Sequence, residues 1–237
     1  MVGDTFCTTI APRRLRPVPL VQAMPALTAR TSGRRFRSCC FLRLVSRPLV
    51  WPARSIHTIG PALLQIGDLW HAGAVTVAQE HLASNVLGGT LVHLLRLAQP
   101  SDAERRVLLA CFADEEHVLG LYGAGLRFAS WGYRTLMLGA STPPVAVARA
   151  VDALSPDLVG LSATMLLPPP RARELVDAYA DACHSTPWAV GGDAAESMRP
   201  WIEDRGGICI GRDLPGARQV IEKAVVTNRR KRNGRGE

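Results

Sequence analysis

The chain has 237 residues, enough for one domain of ordinary size and a smaller module, and its 47% hydrophobic content is that of a globular protein. No apolar run approaches the roughly 18 residues of a membrane span, and the opening residues lack a compact apolar segment with a small-residue cleavage site. A membrane protein and a secretory signal are set aside, and the expected location is cytoplasmic.

The net charge of +8 is unevenly spread. Residues 1–54 hold ten arginines and one acid, residues 55–228 thirteen basic and eighteen acidic groups, and residues 229–237 five basic groups and one acid. The basicity therefore sits in two tails. Counterion release would let such tails touch nucleic acid, although solvated tails are the plainer reading. The six cysteines, Cys7, Cys39, Cys40, Cys111, Cys183 and Cys209, show no C-x-x-C spacing. Buried thiols are expected of the last three, not disulfides or zinc ligands.

In chain order, residues 1–55 are rich in proline and arginine without a sustained apolar period and read as disordered. Residues 59–72 give a short amphipathic helix with Leu63, Leu64, Ile66, Leu69 and Trp70, stopped at Gly73. Thr76-Val77-Ala78-Gln79 fits a capping box, and a helix runs from it through Leu97 to a stop at Pro100. After Ser101 the rhythm becomes strand, turn, helix. Strands are expected at 106–112, 134–139, 158–164, 187–191 and 208–211, with helices at 118–131, 143–154, 170–184, 194–205 and 213–227. Five short apolar strands alternating with helices predict an α/β fold, a five-stranded doubly wound parallel sheet preceded by a partial helical bundle. The domain reading is 1–55 tail, 56–101 helical module, 102–228 α/β domain and 229–237 basic tail.

Such sheets bind ligands beyond the carboxyl ends of their strands, at the switch point between crossovers. Glu115-Glu116-His117-Val118-Leu119-Gly120 leaves the first strand. After a gap of 41 residues come Ser162-Ala163-Thr164 at the end of the third strand, and after a further 26 come Gly191-Gly192 at the end of the fourth. All three elements fall on the predicted binding edge. Singly, a histidine after a strand is a surface residue and a Gly-Gly is a turn. Together, E-x-H-x-x-G, S-x-T and G-G resemble the signature of flavodoxin-like cobalamin-binding domains, which hold vitamin B12 with its lower base displaced by a protein histidine.

That resemblance implies cobalamin, with its cobalt, as cofactor. His117 would be the lower cobalt ligand, since imidazole suits a first-row metal. Glu115 would orient its ring, where many members of the family have aspartate. Gly120 would make the turn into a helix, while Ser162, Thr164, Gly191 and Gly192 would line the slot for the displaced nucleotide tail.

A second constellation, Trp70-His71 followed after eight residues by Glu80-His81, resembles the cap of light-sensing B12 repressors of the CarH/LitR type. Alone, Trp70 reads as a core anchor and Glu80-His81 as a solvated helix face. Beside the cobalamin signature, the resemblance implies that Trp70, Val77, Glu80 and His81 shelter an adenosyl group. It makes His71 the upper cobalt ligand after photolysis. A broad indole face suits adenine or corrin, and a carboxylate can accept from ribose hydroxyls. His57, His93 and His184 match nothing.

The resemblance covers about residues 58–228. It departs from the family in two respects: no helix-turn-helix pattern precedes the cap, and about two cap helices are read where four are usual. Residues 1–55 stand where the other pair would be, and the expectation is that they do not represent the natural reading frame. The implied function is a cobalamin-binding sensor without turnover, with adenosylcobalamin favoured over methylcobalamin. Its output would be self-association or contact with a DNA-binding or regulatory partner, with no membrane involved. The rivals are a corrinoid methyl carrier of a methyltransferase system, a mutase small subunit, and a flavodoxin-like module with no cofactor.

Overall fold

The computed structural model describes residues 65–70, 72–211 and 214–234, all within one of two compact units, Val45–Glu237. The other unit, Met1–Leu44, lies outside the described residues, as do His71 and the expectations placed on residues 1–55.

Residues 65–70 are helical, and a turn containing Gly73 leads to α1 (Val77–Ala98). The predicted capping box is formed: the Thr76 hydroxyl accepts from the Gln79 N–H, and the Gln79 side chain accepts from the Thr76 N–H at 2.9 Å. The α/β domain follows as β1 (Arg105–Cys111), α2 (Leu119–Ser130), β2 (Tyr133–Gly139), α3 (Pro144–Leu154), β3 (Leu158–Ser162), α4 (Pro169–Cys183), β4 (Trp188–Gly191), α5 (Ala195–Asp204), β5 (Ile208–Ile210) and α6 (Leu214–Asn233). All pairings are parallel, in the order β2-β1-β3-β4-β5. This is the doubly wound flavodoxin-like order, with its switch point between β1 and β3.

The buried alternation of β1 builds a core on each face. Leu108, Ala110 and Phe112 pack with residues of α3, α4 and α5, including Val147, Val176 and Ile202. Val107, Leu109 and Cys111 face the other way, toward Leu121 and Phe128 of α2 and Ile221 and Val225 of α6. Helix α1 lies outside α2, joined to it by Leu91, Leu94 and Leu95 against Leu126 and Ala129. Gly125 permits the approach, because a Cβ there would stand 3.1 Å from Leu95. Among the described residues, no helix is long and apolar enough to cross a membrane.

Two expected boundaries of the α/β domain differ by more than one residue. Strand β3 ends at Ser162, two residues before its expected end, because Thr164 turns out of the ladder and bonds to Glu115. Helix α6 runs to Asn233, not 227, so the first part of the expected basic tail is helical. Arg229 anchors this extension, donating to buried Asp157 at 2.9 Å and to the Glu104 carbonyl at 2.8 Å. Arg230, Lys231 and Arg232 in the last turn suit the negative end of the helix dipole.

Candidate functional site at the carboxyl edge of the sheet

The loop after β1 is fixed from several sides. Its Phe112 N–H donates to the Ser162 carbonyl, its Glu115 carbonyl accepts from the Ser141 N–H at 2.9 Å, and its Asp114 pairs with Arg171 of α4 at 2.9 Å. Within it the Glu115 carboxylate is 2% exposed and accepts five hydrogen bonds. One oxygen takes the His117 N–H (2.8 Å) and His117 Nδ1 (2.6 Å); the other takes the Thr164 N–H (2.7 Å), the Thr164 hydroxyl (2.5 Å) and the Met165 N–H (3.0 Å).

Burial opposes ionisation of Glu115. The Thr164 hydroxyl, the two backbone N–H groups of His117 and Thr164, and the His117 ring outweigh it and hold the carboxyl down at about 2. An ionised carboxylate only accepts, so Nδ1 carries the proton of the neutral ring and Nε2 keeps its lone pair. The His117 side chain is 66% exposed, leaving Nε2 available for coordination. Beneath the loop, burial pushes the Cys111 thiol up to about 11, and Cys183 is likewise raised to about 12. Cys111 and Cys183 are buried free thiols, and Cys209 is a half-buried one.

A slot of about 340 Å³ opens beside this loop on the α2/α6 face of the sheet. Strand register explains it. Leu109, Gly160, Ala189 and Ile208 are aligned across four strands, and one layer nearer the carboxyl edge so are Cys111, Ser162, Gly191 and Ile210. On β3 and β4, Gly160, Ser162, Ala189 and Gly191 face this side and are small, Leu158 below them packing into the core on that face, whereas Val159, Leu161, Trp188 and Val190 fill the opposite core. Across the gap, α2 supplies Gly120, Gly123 and Ala124, and α6 supplies Ala217.

A Cβ at Gly120 or Gly123 would meet nothing within 4 Å and would project into open space. Gly192 is required for a different reason. Its φ is +109°, and a Cβ would stand 2.3 Å from the Ala163 carbonyl oxygen. Slot and histidine are of the kind a cobalamin needs: the slot's volume lies within the roughly 300–1,000 Å³ of ligand pockets, and Leu119 and Gly120, two and three residues past His117, line it.

The structure therefore joins Glu115, His117 and Thr164 by hydrogen bonds and brings Gly120, Ser162, Thr164, Gly191 and Gly192 into one cavity. From α1, Glu80 accepts from Ser84 (2.6 Å) and pairs with His81 Nδ1 (2.6 Å). The Glu80 carboxyl is lowered chiefly by these two bonds, with a through-space contribution from His117. Trp70 is 43% and Val77 54% exposed. The sequence reading missed Gly123, Ala124, Arg127 and Gly160 as slot residues. The signal was present in the run Gly120-Leu121-Tyr122-Gly123-Ala124-Gly125 and in the large–small alternation of Leu158–Ser162 and Trp188–Gly191.

Residues 49–95 match a family model described as a B12 binding domain. The chain is 46% identical over 106 residues to the HTH-type transcriptional repressor CarH of Myxococcus xanthus, covering 45% of this chain and 35% of the repressor. It is 35% identical over 116 residues to the repressor CarA of the same organism, covering 49% of this chain and 40% of that protein. The chain thus spans only about two-fifths or less of these relatives' length. The monomethylamine corrinoid protein of Methanosarcina barkeri shares the fold at 16% identity, with a TM-score of 0.51 over 71% of this chain and 78% of that one. The chain carries a cobalamin-binding domain. That domain resembles the one in CarH-type regulators.

Proposed function

We propose that this chain is a cobalamin-binding sensor module that responds to light through adenosylcobalamin, with His117 as the lower cobalt ligand. The observation that carries the reading is the Glu115–His117 pair. A carboxylate held ionised by five donors fixes the proton on Nδ1 and leaves Nε2 free beside a slot lined by small residues.

Adenosylcobalamin, when bound, supplies a cobalt–carbon bond that visible light breaks. The chain's own residues hold and cover it. His117 presents Nε2 from below, while Gly120, Ser162, Thr164, Gly191 and Gly192 leave room for the nucleotide tail. Trp70, Val77, Glu80 and His81 form the cover on the adenosyl side. His71, the residue after Trp70, would hold the cobalt after illumination, a role that rests on the family resemblance. The similarity to two transcriptional repressors supports a regulatory output, with light altering self-association or contact with a DNA-binding partner as the cover moves.

The test is an absorption spectrum of the protein with adenosylcobalamin in darkness and again after green light. A base-off spectrum that converts irreversibly to a bis-imidazole form is expected. His71→Ala should keep dark binding and lose that photoproduct, and His117→Ala should lose the lower imidazole ligand. Preferential binding of methylcobalamin with no stable photoproduct would replace this reading with a corrinoid methyl carrier.

A further inference from the structure

We propose that Arg127 is the anion-binding residue of the slot and holds the phosphodiester of cobalamin's nucleotide tail. The proposal rests on the reading that the slot receives that tail.

Among the described residues lining the slot, Arg127 is the one ionisable side chain. Leu91, Phe128, Trp131 and Ile221 line the slot with it. Five other arginines of the domain have carboxylate partners, Arg171 with Asp114, Arg199 with Glu196, Arg205 with Asp181, Arg218 with Glu222 and Arg229 with Asp157, whereas Arg134, Arg149 and Arg173, which have none, are exposed to water. The half-buried Arg127 guanidinium has no ion pair or side-chain hydrogen bond among the described residues, and burial alone pushes its pKa down. Desolvating a cation without a partner is unfavourable, and so is placing a permanently ionised phosphodiester in an apolar slot. Each group offsets the other's cost, and a guanidinium can offer phosphate two parallel N–H donors.

Position along α2 supports the same match. Gly120, Gly123, Ala124, Arg127 and Trp131 all line the slot, at helical spacing along the α2 segment. Arg127 lies seven residues past Gly120, about 10 Å along the axis at 1.5 Å per residue, and helical side chains lean back toward the N-terminus, here the mouth. The guanidinium therefore stands along the shaft, with the Trp131 ring one turn deeper. Cobalamin's tail has the same order: a linker from the corrin, then the phosphodiester, the ribose and a flat base.

The test uses the full chain, in darkness, with three probes. These are adenosylcobalamin, adenosylcobinamide phosphate (phosphate without ribose or base) and adenosylcobinamide (none of the three). Arg127→Met should weaken the first two at least about tenfold, the scale of a lost charged hydrogen bond, and leave adenosylcobinamide within about twofold of the wild type. Arg127→Lys should restore part of the loss. Adenosylcobinamide also reports whether the variant is folded. Unchanged affinity for adenosylcobalamin, or an equal loss for all three probes, would overturn the proposal. Loss for adenosylcobalamin alone would assign Arg127 to the base and overturn the phosphate contact. A wild type that binds none of the probes would instead overturn the cobalamin reading beneath it.

Discussion

Replacing Glu115 by glutamine changes one oxygen to an amide NH2 and tests the logic of the site without any cofactor. Glu115 accepts five hydrogen bonds, two at one oxygen and three at the other, while 2% exposed. If the amide NH2 faces His117, the backbone N–H of His117 loses its acceptor. If it faces β3, the N–H groups of Thr164 and Met165 lose theirs. Each buried orphan costs about 1–3 kcal/mol, so urea unfolding of the full chain should show a loss of about 2–3 kcal/mol at pH 7.

The pH dependence has a definite sign. The carboxyl is held at about 2 in the folded protein against an ordinary glutamate value near 4.5. Its stabilisation is thus fully present above about 4.5 and is lost as pH falls toward about 2. The difference between wild type and Glu115→Gln should shrink across that window. Nitrogen NMR of the imidazole provides a second readout. Wild-type His117 should carry its neutral proton on Nδ1. In the variant whose NH2 faces the ring, Nδ1 must accept, and the proton moves to the nitrogen proposed to bind cobalt. Equal stability at pH 7 together with an unchanged tautomer would refute the reasoning.

The slot makes an opposite kind of prediction at Gly123, where a side chain meets open space. Gly123→Leu should leave the cofactor-free protein as stable or up to about 1 kcal/mol more so by melting, because glycine is a poor helix former, yet abolish co-elution with cobalamin on gel filtration. Gly192→Ala should instead destabilise the cofactor-free fold by about 2–4 kcal/mol in urea titration, because its φ of +109° and the 2.3 Å approach to the Ala163 oxygen leave no room. Thr76→Ala removes the α1 cap and should cost about 1 kcal/mol, seen as faster hydrogen exchange at Ala78 and Gln79 with the α/β domain unaffected.

Much of the fold was legible because each strand is short, apolar and bounded by helical periodicity. All five strands and the helices between them lie where the alternation predicts, and the capping box at Thr76 marks the start of α1. Two ends were misjudged by more than one residue, because the deciding contact is remote in sequence. Thr164 leaves β3 to serve a carboxylate 49 residues earlier, and the end of α6 is anchored through Arg229 to Asp157, 72 residues away. A local pattern reports propensity but not such partners.

The candidate site divides in the same way. His117 with an acid two residues before it is a local pattern, and so its pairing with Glu115 could be read directly. The acid's other oxygen could not, because its three donors arrive from the loop after β3 only once β1 and β3 lie side by side. One carboxylate therefore both sets the imidazole tautomer and ties the ends of the two strands that flank the switch point. The slot shows the complementary case. Gly160 and Ala189 look unremarkable singly, and join Ser162 and Gly191 in a wall only when strand register aligns them on one face. Arg127 reads from sequence as one more polar position on a surface helix; packing α2 across that wall is what leaves it without an acid partner inside an apolar shaft. Residues that act through neighbours in sequence, or that belong to a recognisable motif, were legible in advance, whereas Gly160, Ala189 and Arg127, whose roles depend on sheet register and helix packing alone, required the fold.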